Sequence, residues 1–191
     1  PSFAAHAIGN WGKAELGGQE RKLCFSSAVL LKNLFIELNK NAKDTNYEIT
    51  FEATHHGPFV EKPAVFVEIG STEKEWNEKQ NGEIIAHTII NALKNQNKNY
   101  KISVGIGGPH YCSNFNKAML RTDIAVSHIC PKYQLENLNE ELLQQSIKKT
   151  VEKVDFVLLD WKGLGREKQR IVEMLKNLDL EAVRTNQILK G

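Results

Sequence analysis

The chain has 191 residues, the length of one ordinary domain, and 41% of them are hydrophobic while 25% are charged. This composition predicts a packed core and excludes an intrinsically disordered chain. A formal net charge of only +2 excludes a strongly basic nucleic-acid coat protein but is compatible with a local basic patch.

Membrane and secretory classes are also disfavoured by the sequence. No apolar run approaches the roughly 20 residues that a transmembrane helix needs, and no signal-peptide pattern opens the chain. The cysteines, Cys24, Cys112 and Cys130, are odd in number and lack CxxC spacing, which argues against a disulfide framework. We therefore predict a cytoplasmic protein with reduced thiols, and we expect a monomer rather than a stable oligomer.

The first half of the chain alternates between helical and strand patterns. Apolar residues at helical spacing predict a helix within residues 20–40. Alternating and β-branched runs predict strands over residues 47–53 and 64–69. Thr72 followed by Glu75 matches a capping box and predicts the start of a second helix.

The second half continues the alternation. Strands are predicted over residues 101–106, 123–130, 154–160 and 180–183, and helices over residues 137–153 and 166–178. Strands that alternate with helices indicate a layered α/β fold with a largely parallel or mixed sheet. Such folds place ligand sites at the carboxyl ends of their strands.

The segment from Glu52 to Pro58 reads Glu-Ala-Thr-His-His-Gly-Pro and lies where a predicted strand ends. Neighbouring histidines, here His55 and His56, point in opposite directions at a strand end, so one can face a site while the other packs. Two imidazoles near the Glu52 carboxylate can bind zinc or perform acid–base chemistry. A polar loop with one hydrogen-bonded histidine explains the pair about equally well.

A second segment, Gly105-Ile106-Gly107-Gly108-Pro109-His110, follows another predicted strand. Glycines let the backbone approach a ligand closely, and the N–H groups of Gly107 and Gly108 are candidate oxyanion donors. The segment is neither a Walker loop nor GxGxxG. Taken alone, a tight turn that requires positive φ is the simpler interpretation.

The remaining histidines give weaker signals. His128 falls inside a predicted strand, where a structural core histidine is more common than a ligand. His87 is expected on a solvated helix face, and His6 in a loop that nothing connects to the other candidates. Glu68 lies just before Gly70 at the end of a predicted strand. Its carboxylate could orient a metal-binding histidine, or it could stabilise the N-terminus of the helix that follows.

Basic residues cluster near aromatic ones in two places. Lys162, Arg166, Lys168 and Arg170 follow Trp161, whereas Lys117, Arg121 and Lys132 accompany Tyr133. A basic and aromatic surface suits a single-stranded RNA end. Composition alone favours an ordinary solvated helix face.

Taken together, these segments resemble one family, the archaeal and plant type of D-aminoacyl-tRNA deacylase. The resemblance is carried by blocks at residues 9–18 (Gly-Asn-Trp-Gly, then Glu-Leu-Gly-Gly), 52–58, 67–76 (Val-Glu-Ile-Gly-Ser-Thr, then Glu-Trp) and 105–111. Their order and spacing match, and the match extends to about residue 160. Pro109 stands where the family pattern has glycine, and Cys112-Ser113 replaces a small residue and proline.

The resemblance implies a three-layer α/β/α fold similar to the phosphorylase and peptidyl-tRNA hydrolase types. It also implies zinc-dependent hydrolysis of the ester that joins a D-amino acid to the 3′ end of tRNA. Residues 1–191 are expected to form a single α/β hydrolytic domain that lacks an N-terminal strand–helix unit of the family. The candidate metal ligands are His55, His56, His110, Glu52 and Glu68.

The catalytic candidates are His55, His56, His110, Gly107 and Gly108, and the tRNA-binding candidates are Lys162, Arg166, Lys168 and Arg170. Although about 54 residues separate them, the histidine segments are expected to converge on one site, because loops at one sheet edge come together in α/β folds. Two alternative functions remain, a metal-dependent amidase or peptidyl-tRNA hydrolase and a non-catalytic module that binds the tRNA end.

Overall fold

The computed structural model describes residues 1–70, 72–95 and 99–189. Ser71, which belongs to one of the family-like blocks, lies outside the described residues. The strands are β1 (Ser2–Ala7), β2 (Glu48–Phe51), β3 (Val65–Gly70), β4 (Lys101–Ile106), β5 (Ile124–Cys130), β6 (Phe156–Leu159) and β7 (Ala182–Arg184). The helices are α1 (Ala28–Asn41), α2 (Glu73–Asn77), α3 (Lys79–Lys94), α4 (Ser113–Arg121), α5 (Glu140–Lys148), α6 (Lys168–Asn177) and α7 (Thr185–Ile188).

The described strands form two sheets. A mixed sheet has the order β2-β1-β3, in which β1 runs parallel to β2 and antiparallel to β3. A parallel sheet has the order β5-β4-β6-β7. The predicted three-layer α/β architecture with mixed and parallel strands is confirmed.

Alternating side chains of the parallel sheet enter two cores. Phe156 and Leu158 on β6 pack into the core that includes side chains of α1 and α4, whereas Val157 and Leu159 pack into the core that includes side chains of α5 and α6. Strands of a parallel sheet that is covered on both faces are strongly apolar. The strands β4, β5 and β6 can therefore be predicted from apolar runs in the sequence. The carboxyl ends of these strands remain as the edge at which loops gather.

Several element boundaries differ from the prediction for local reasons. The helix expected from residue 20 begins at Ala28, because the Ser27 side chain caps it by accepting a hydrogen bond from the Leu30 amide. The capping box of Thr72 and Glu75 is present, but its helix ends at Asn77 and α3 begins at Lys79. The helix expected over residues 137–153 spans only Glu140–Lys148, and Asn139 caps it by accepting a hydrogen bond from the Leu142 amide.

Strand β1 and helix α4 are not anticipated by the sequence analysis. Strand β1 lies in the centre of the mixed sheet, and its placement corrects the expectation that His6 lies in a loop. The prediction that His128 is a core residue on β5 is confirmed, and His87 is exposed on α3 as expected. Within the described residues, no helix is both long and apolar enough to cross a bilayer.

The loop after β2 is held by direct backbone packing. A Cβ atom added to Gly57 would lie 2.1 Å from the Gly18 nitrogen and 2.5 Å from the Gly17 carbonyl carbon. Both neighbours are backbone atoms, so they cannot move aside as a side chain can. Only glycine therefore fits at position 57 with this chain path.

We predict that Gly57→Ala lowers the free energy of unfolding by at least about 2 kcal/mol, because overpacking of this size forces the backbone apart. The matched control is Gly82→Ala in α3, where a new Cβ meets nothing within 4 Å. The control should be neutral or stabilising by roughly 0.5–1 kcal/mol, since alanine favours helix. Urea unfolding of both variants measures the difference, and equal midpoints would contradict the packing argument.

Candidate functional site

The candidate site lies where the segment after β2 passes the ends of β4 and β5. The Ala53 amide donates to the His110 carbonyl at 2.9 Å, and the Thr54 amide donates to the Ile129 carbonyl at 3.1 Å. These bonds place the Glu52–His56 segment of one sheet against the loop that follows β4 in the other.

The histidines expected to converge do so. The ring centroids of His55 and His110 are 4.6 Å apart, and those of His55 and His56 are 4.5 Å apart. The Glu52 carboxylate lies between His55 and His110, with its Oε2 3.8 Å from the first Nε2 and 3.4 Å from the second. The side chain of Glu52 is 9% exposed, so a largely buried carboxylate faces two imidazoles.

His6 joins this cluster from strand β1, which sequence reasoning missed. Its ring is fully buried, stacks on His55 at 4.1 Å between centroids and contacts His56 edge-on at 4.8 Å. Its Nε2 is 3.4 Å from Oε1 of Glu68 on the neighbouring strand β3. The run of apolar residues from Phe3 to Ile8 was the available signal, because a histidine inside such a run is expected to be buried.

The tautomers of these histidines follow from their backbone partners. Nδ1 of His6 lies 2.9 Å from the Ala7 carbonyl, Nδ1 of His55 lies 2.7 Å from that of Ala53, and Nδ1 of His56 lies 2.6 Å from that of Gly57. A carbonyl oxygen only accepts, so each Nδ1 carries the proton and each Nε2 keeps a lone pair. The Nε2 atoms are therefore the basic ends of the rings.

The charge state of the cluster is set by burial. Burial, together with the neighbouring histidines, lowers the pKa of His55 to about 4, so its imidazole is neutral near pH 7. Glu68 on β3 has a half-buried side chain and is a carboxylate near pH 7. Neutral imidazoles and ionised carboxylates are the forms in which these side chains bind cations.

The predicted metal ligands divide into groups that share His55. Ligand atoms of His6, His55, His56 and Glu68 lie within 4.8 Å of one another, as do those of Glu52, His55 and His110. Within the described part of the chain, the buried Nε2 of His6 has no hydrogen-bond partner. An acceptor without a donor that faces a carboxylate is a suitable place for a cation, so the donor set fits zinc.

His110 differs from the other histidines in its hydrogen bonding. Its Nδ1 lies 2.9 Å from the hydroxyl of Tyr133, in the 3₁₀ segment after β5. Burial raises the pKa of Tyr133 to about 12, so the phenol keeps its proton and can donate it to Nδ1. In that arrangement Nε2 of His110 carries a hydrogen directed at Glu52. In the sequence, Tyr133 lies beside the basic Lys132, and no local pattern connects it to His110.

The structure does not support Gly107 as an oxyanion donor, whereas that role of Gly108 stays a prediction. The Gly107 amide already donates to the Cys130 carbonyl at 2.8 Å. The Gly108 nitrogen lies so close to Gly163 that a Cβ there would approach it to 2.1 Å. These glycines instead allow the loops after β4 and β6 to pack against each other.

The predicted tRNA-binding residues are only partly available. The Arg170 guanidinium donates to the carbonyls of Leu135 and Leu138 and binds Glu167, which gives it a structural role. Lys168 lies over the Trp161 ring at 5.4 Å, whereas Lys162 and Arg166 are exposed to solvent. Arg184, which was not anticipated, lies over the same ring at 3.6 Å.

The sequence of this chain is similar to a known family and to several named relatives. A family model described as D-aminoacyl-tRNA deacylase matches residues 1–183. A D-aminoacyl-tRNA deacylase of Thermococcus kodakarensis is 41% identical over 187 residues, which cover 96% of this chain and 68% of that protein. One from Pyrococcus furiosus is 38% identical over 186 residues, with the same coverage of both chains.

A solved structure agrees with the fold. A crystal structure of a conserved protein of unknown function, AF0625, superposes with a TM-score of 0.91 at 31% identity. It is matched over 99% of this chain and 67% of its own. With the family model and relatives of this similarity, the chain belongs to the D-aminoacyl-tRNA deacylase family.

Proposed function

We propose that this protein hydrolyses the ester bond of D-aminoacyl-tRNA in the cytoplasm and releases free tRNA and a D-amino acid. The observation that carries the proposal is the convergence of His55 and His110 on the Glu52 carboxylate in a member of this family. Ester hydrolysis needs a base that activates water and a proton for the departing ribose oxygen. A carboxylate between imidazoles can meet both needs.

Zinc is the cofactor that we propose, held by the Nε2 atoms of His6, His55 and His56 together with the Glu68 carboxylate. Zinc bound to neutral imidazoles lowers the pKa of water to about 7 and polarises carbonyl groups. The backbone carbonyls that fix each Nδ1 proton orient the rings for such binding.

Glu52 and His110 are assigned to proton transfer rather than to metal binding. The Tyr133 hydroxyl at Nδ1 favours the tautomer in which Nε2 of His110 carries a hydrogen toward Glu52, 3.4 Å away. Glu52 can take a proton from the attacking water. His110 can pass its Nε2 hydrogen to the departing ribose oxygen and regain a hydrogen from Glu52, so both groups return to their starting states. The His110 side chain is 32% exposed, so it can reach a substrate that enters from solvent.

We predict that the protein releases D-amino acids from D-aminoacyl-tRNA and spares the L forms. His110→Ala should lower kcat/KM for the D substrate by about 100-fold or more, because a positioned acid–base group contributes 10²- to 10⁴-fold. His87→Ala is the matched control, since His87 lies exposed on α3, and it should retain full activity. Release of labelled amino acid from both stereoisomers measures the rates.

The same assay separates the proposal from its alternatives. Equal rates on both stereoisomers would refute selectivity for the D form, and an ester left intact by the unmodified protein would refute D-aminoacyl-tRNA hydrolysis. Binding of tRNA with no cleavage would indicate a binding module. Faster cleavage of an amide-linked substrate would indicate a peptidyl-tRNA hydrolase activity.

We further expect the purified protein to bind zinc and to lose deacylation when a chelator removes it. The double variant His56→Ala, Glu68→Gln should bind zinc at least 10-fold more weakly, because it lacks two of the proposed donors. Competition with a chromophoric chelator measures the affinity, with His87→Ala as the control. Unchanged zinc affinity in the double variant would show that the metal, if bound, lies elsewhere.

We propose that Lys162 and Arg166 contact the phosphates of the tRNA, since both are exposed and Lys162 directly follows Trp161. Replacing both with alanine should reduce the slope of log K against log salt by about 1 to 2, because each phosphate contact adds slightly less than 1. The control, Lys79→Ala on α3, should leave the slope unchanged. An unaltered slope in the double variant would show that this surface is only solvated.

A further inference from the structure

A cavity of about 620 Å³ has His110 in its wall. We call it the His110 cavity. Its walls come from the loops after β4, β5 and β6, represented by His110, Tyr133 and Arg166. Its size lies within the range of small-molecule sites, and it adjoins the proposed reactive centre through His110 itself.

Tyr133 provides the cavity with a fixed aromatic surface. The residue is 53% exposed, yet its hydroxyl is held 2.9 Å from Nδ1 of His110, so the ring is anchored at one end and open along its length. Pro109 and Leu164 add apolar walls. A fixed exposed ring beside apolar walls is a surface on which a nucleobase stacks.

The charged groups of the cavity suit a nucleotide. Lys132 and Arg166 stand at its rim on different loops, and both are exposed. The cavity wall also contains two acids. Glu167 accepts a hydrogen bond from Arg170 at 2.7 Å and lies 3.5 Å from Arg166. Glu136 is exposed in the cavity wall. Two cations can bind a phosphate, and a carboxylate can accept from the exocyclic amino group of a base.

We propose that the His110 cavity binds the 3′-terminal adenosine nucleotide of the tRNA, an inference that rests on the proposed function. The scissile ester joins this adenosine to the amino acid, so a base stacked on Tyr133 places the ribose oxygens beside His110. The amino acid then lies on the opposite side of His110, toward His55 and Glu52. The cations at the rim are placed for the phosphate that precedes the last nucleoside.

Binding of 5′-AMP to the full chain tests the inference by calorimetry. Tyr133→Ala should weaken AMP binding about 10-fold, because stacking on one aromatic ring is worth roughly 5- to 150-fold. Tyr133→Phe should weaken binding clearly less than Tyr133→Ala, because it keeps the stacking ring and loses only the hydroxyl that anchors the ring to His110. Arg166→Ala should also weaken binding, whereas Lys79→Ala on α3 should not.

A free mononucleotide and an RNA end share this chemistry, and the trinucleotide CCA separates them. We expect CCA to bind at least as tightly as AMP and to lose affinity in the same variants. AMP binding without CCA binding, no binding of either, or equal binding by Tyr133→Ala would each overturn the inference. The proposed function is judged separately, by whether the unmodified protein cleaves D-aminoacyl-tRNA.

Discussion

The hydrogen bonds from the Ala53 amide to the His110 carbonyl and from the Thr54 amide to the Ile129 carbonyl are the contacts on which the candidate site depends. They join the segment after β2 to the ends of strands in the other sheet. Together with the hydrogen bonds from Thr50 to the Tyr111 carbonyl and from the Phe51 amide to Asn116, they hold Glu52 beside His110. The glycine contact behind His56, in which Gly57 packs on Gly17 and Gly18, supports the same segment from its other side.

Backbone carbonyls and burial together prepare the histidine cluster for its chemistry. The carbonyls fix the Nδ1 protons of His6, His55 and His56, and burial keeps His55 neutral. Within the described residues, the buried lone pair of His6 Nε2 consequently has no hydrogen-bond donor, and it lies 3.4 Å from the Glu68 carboxylate. Such an arrangement is costly in an apolar interior unless a cation or proton satisfies it, which is the physical basis for proposing zinc here.

The sequence predicts those parts of the structure that local patterns determine. Strand β4 has the predicted bounds and β5 begins one residue later than predicted, because buried strands carry dense apolar runs. The half-buried β3 is shifted by one residue. The convergence of His55 and His110 follows from a general rule about strand ends. His6 was missed because β1 contains small residues and acquires its identity only by pairing with β2 and β3.

Other parts of the site depend on contacts between distant segments, which a local pattern does not contain. The Gly107 amide cannot donate to a ligand because it donates to the Cys130 carbonyl. The Arg170 guanidinium is likewise occupied by the carbonyls of Leu135 and Leu138. Tyr133 becomes relevant only because its hydroxyl reaches His110. Composition and spacing therefore indicated the right segments but not the function of each group within them.

The candidate site draws on residues from His6 in the first strand to Arg166 after the sixth. Contacts between residues so far apart in sequence form late, because the entropy of closing long loops must be overcome first. During synthesis, the histidines of the first sixty residues emerge well before the loops that complete the cavity. A nascent chain thus carries the proposed donors in an unassembled state, and the ability to cleave an aminoacyl ester arises only with the nearly complete fold.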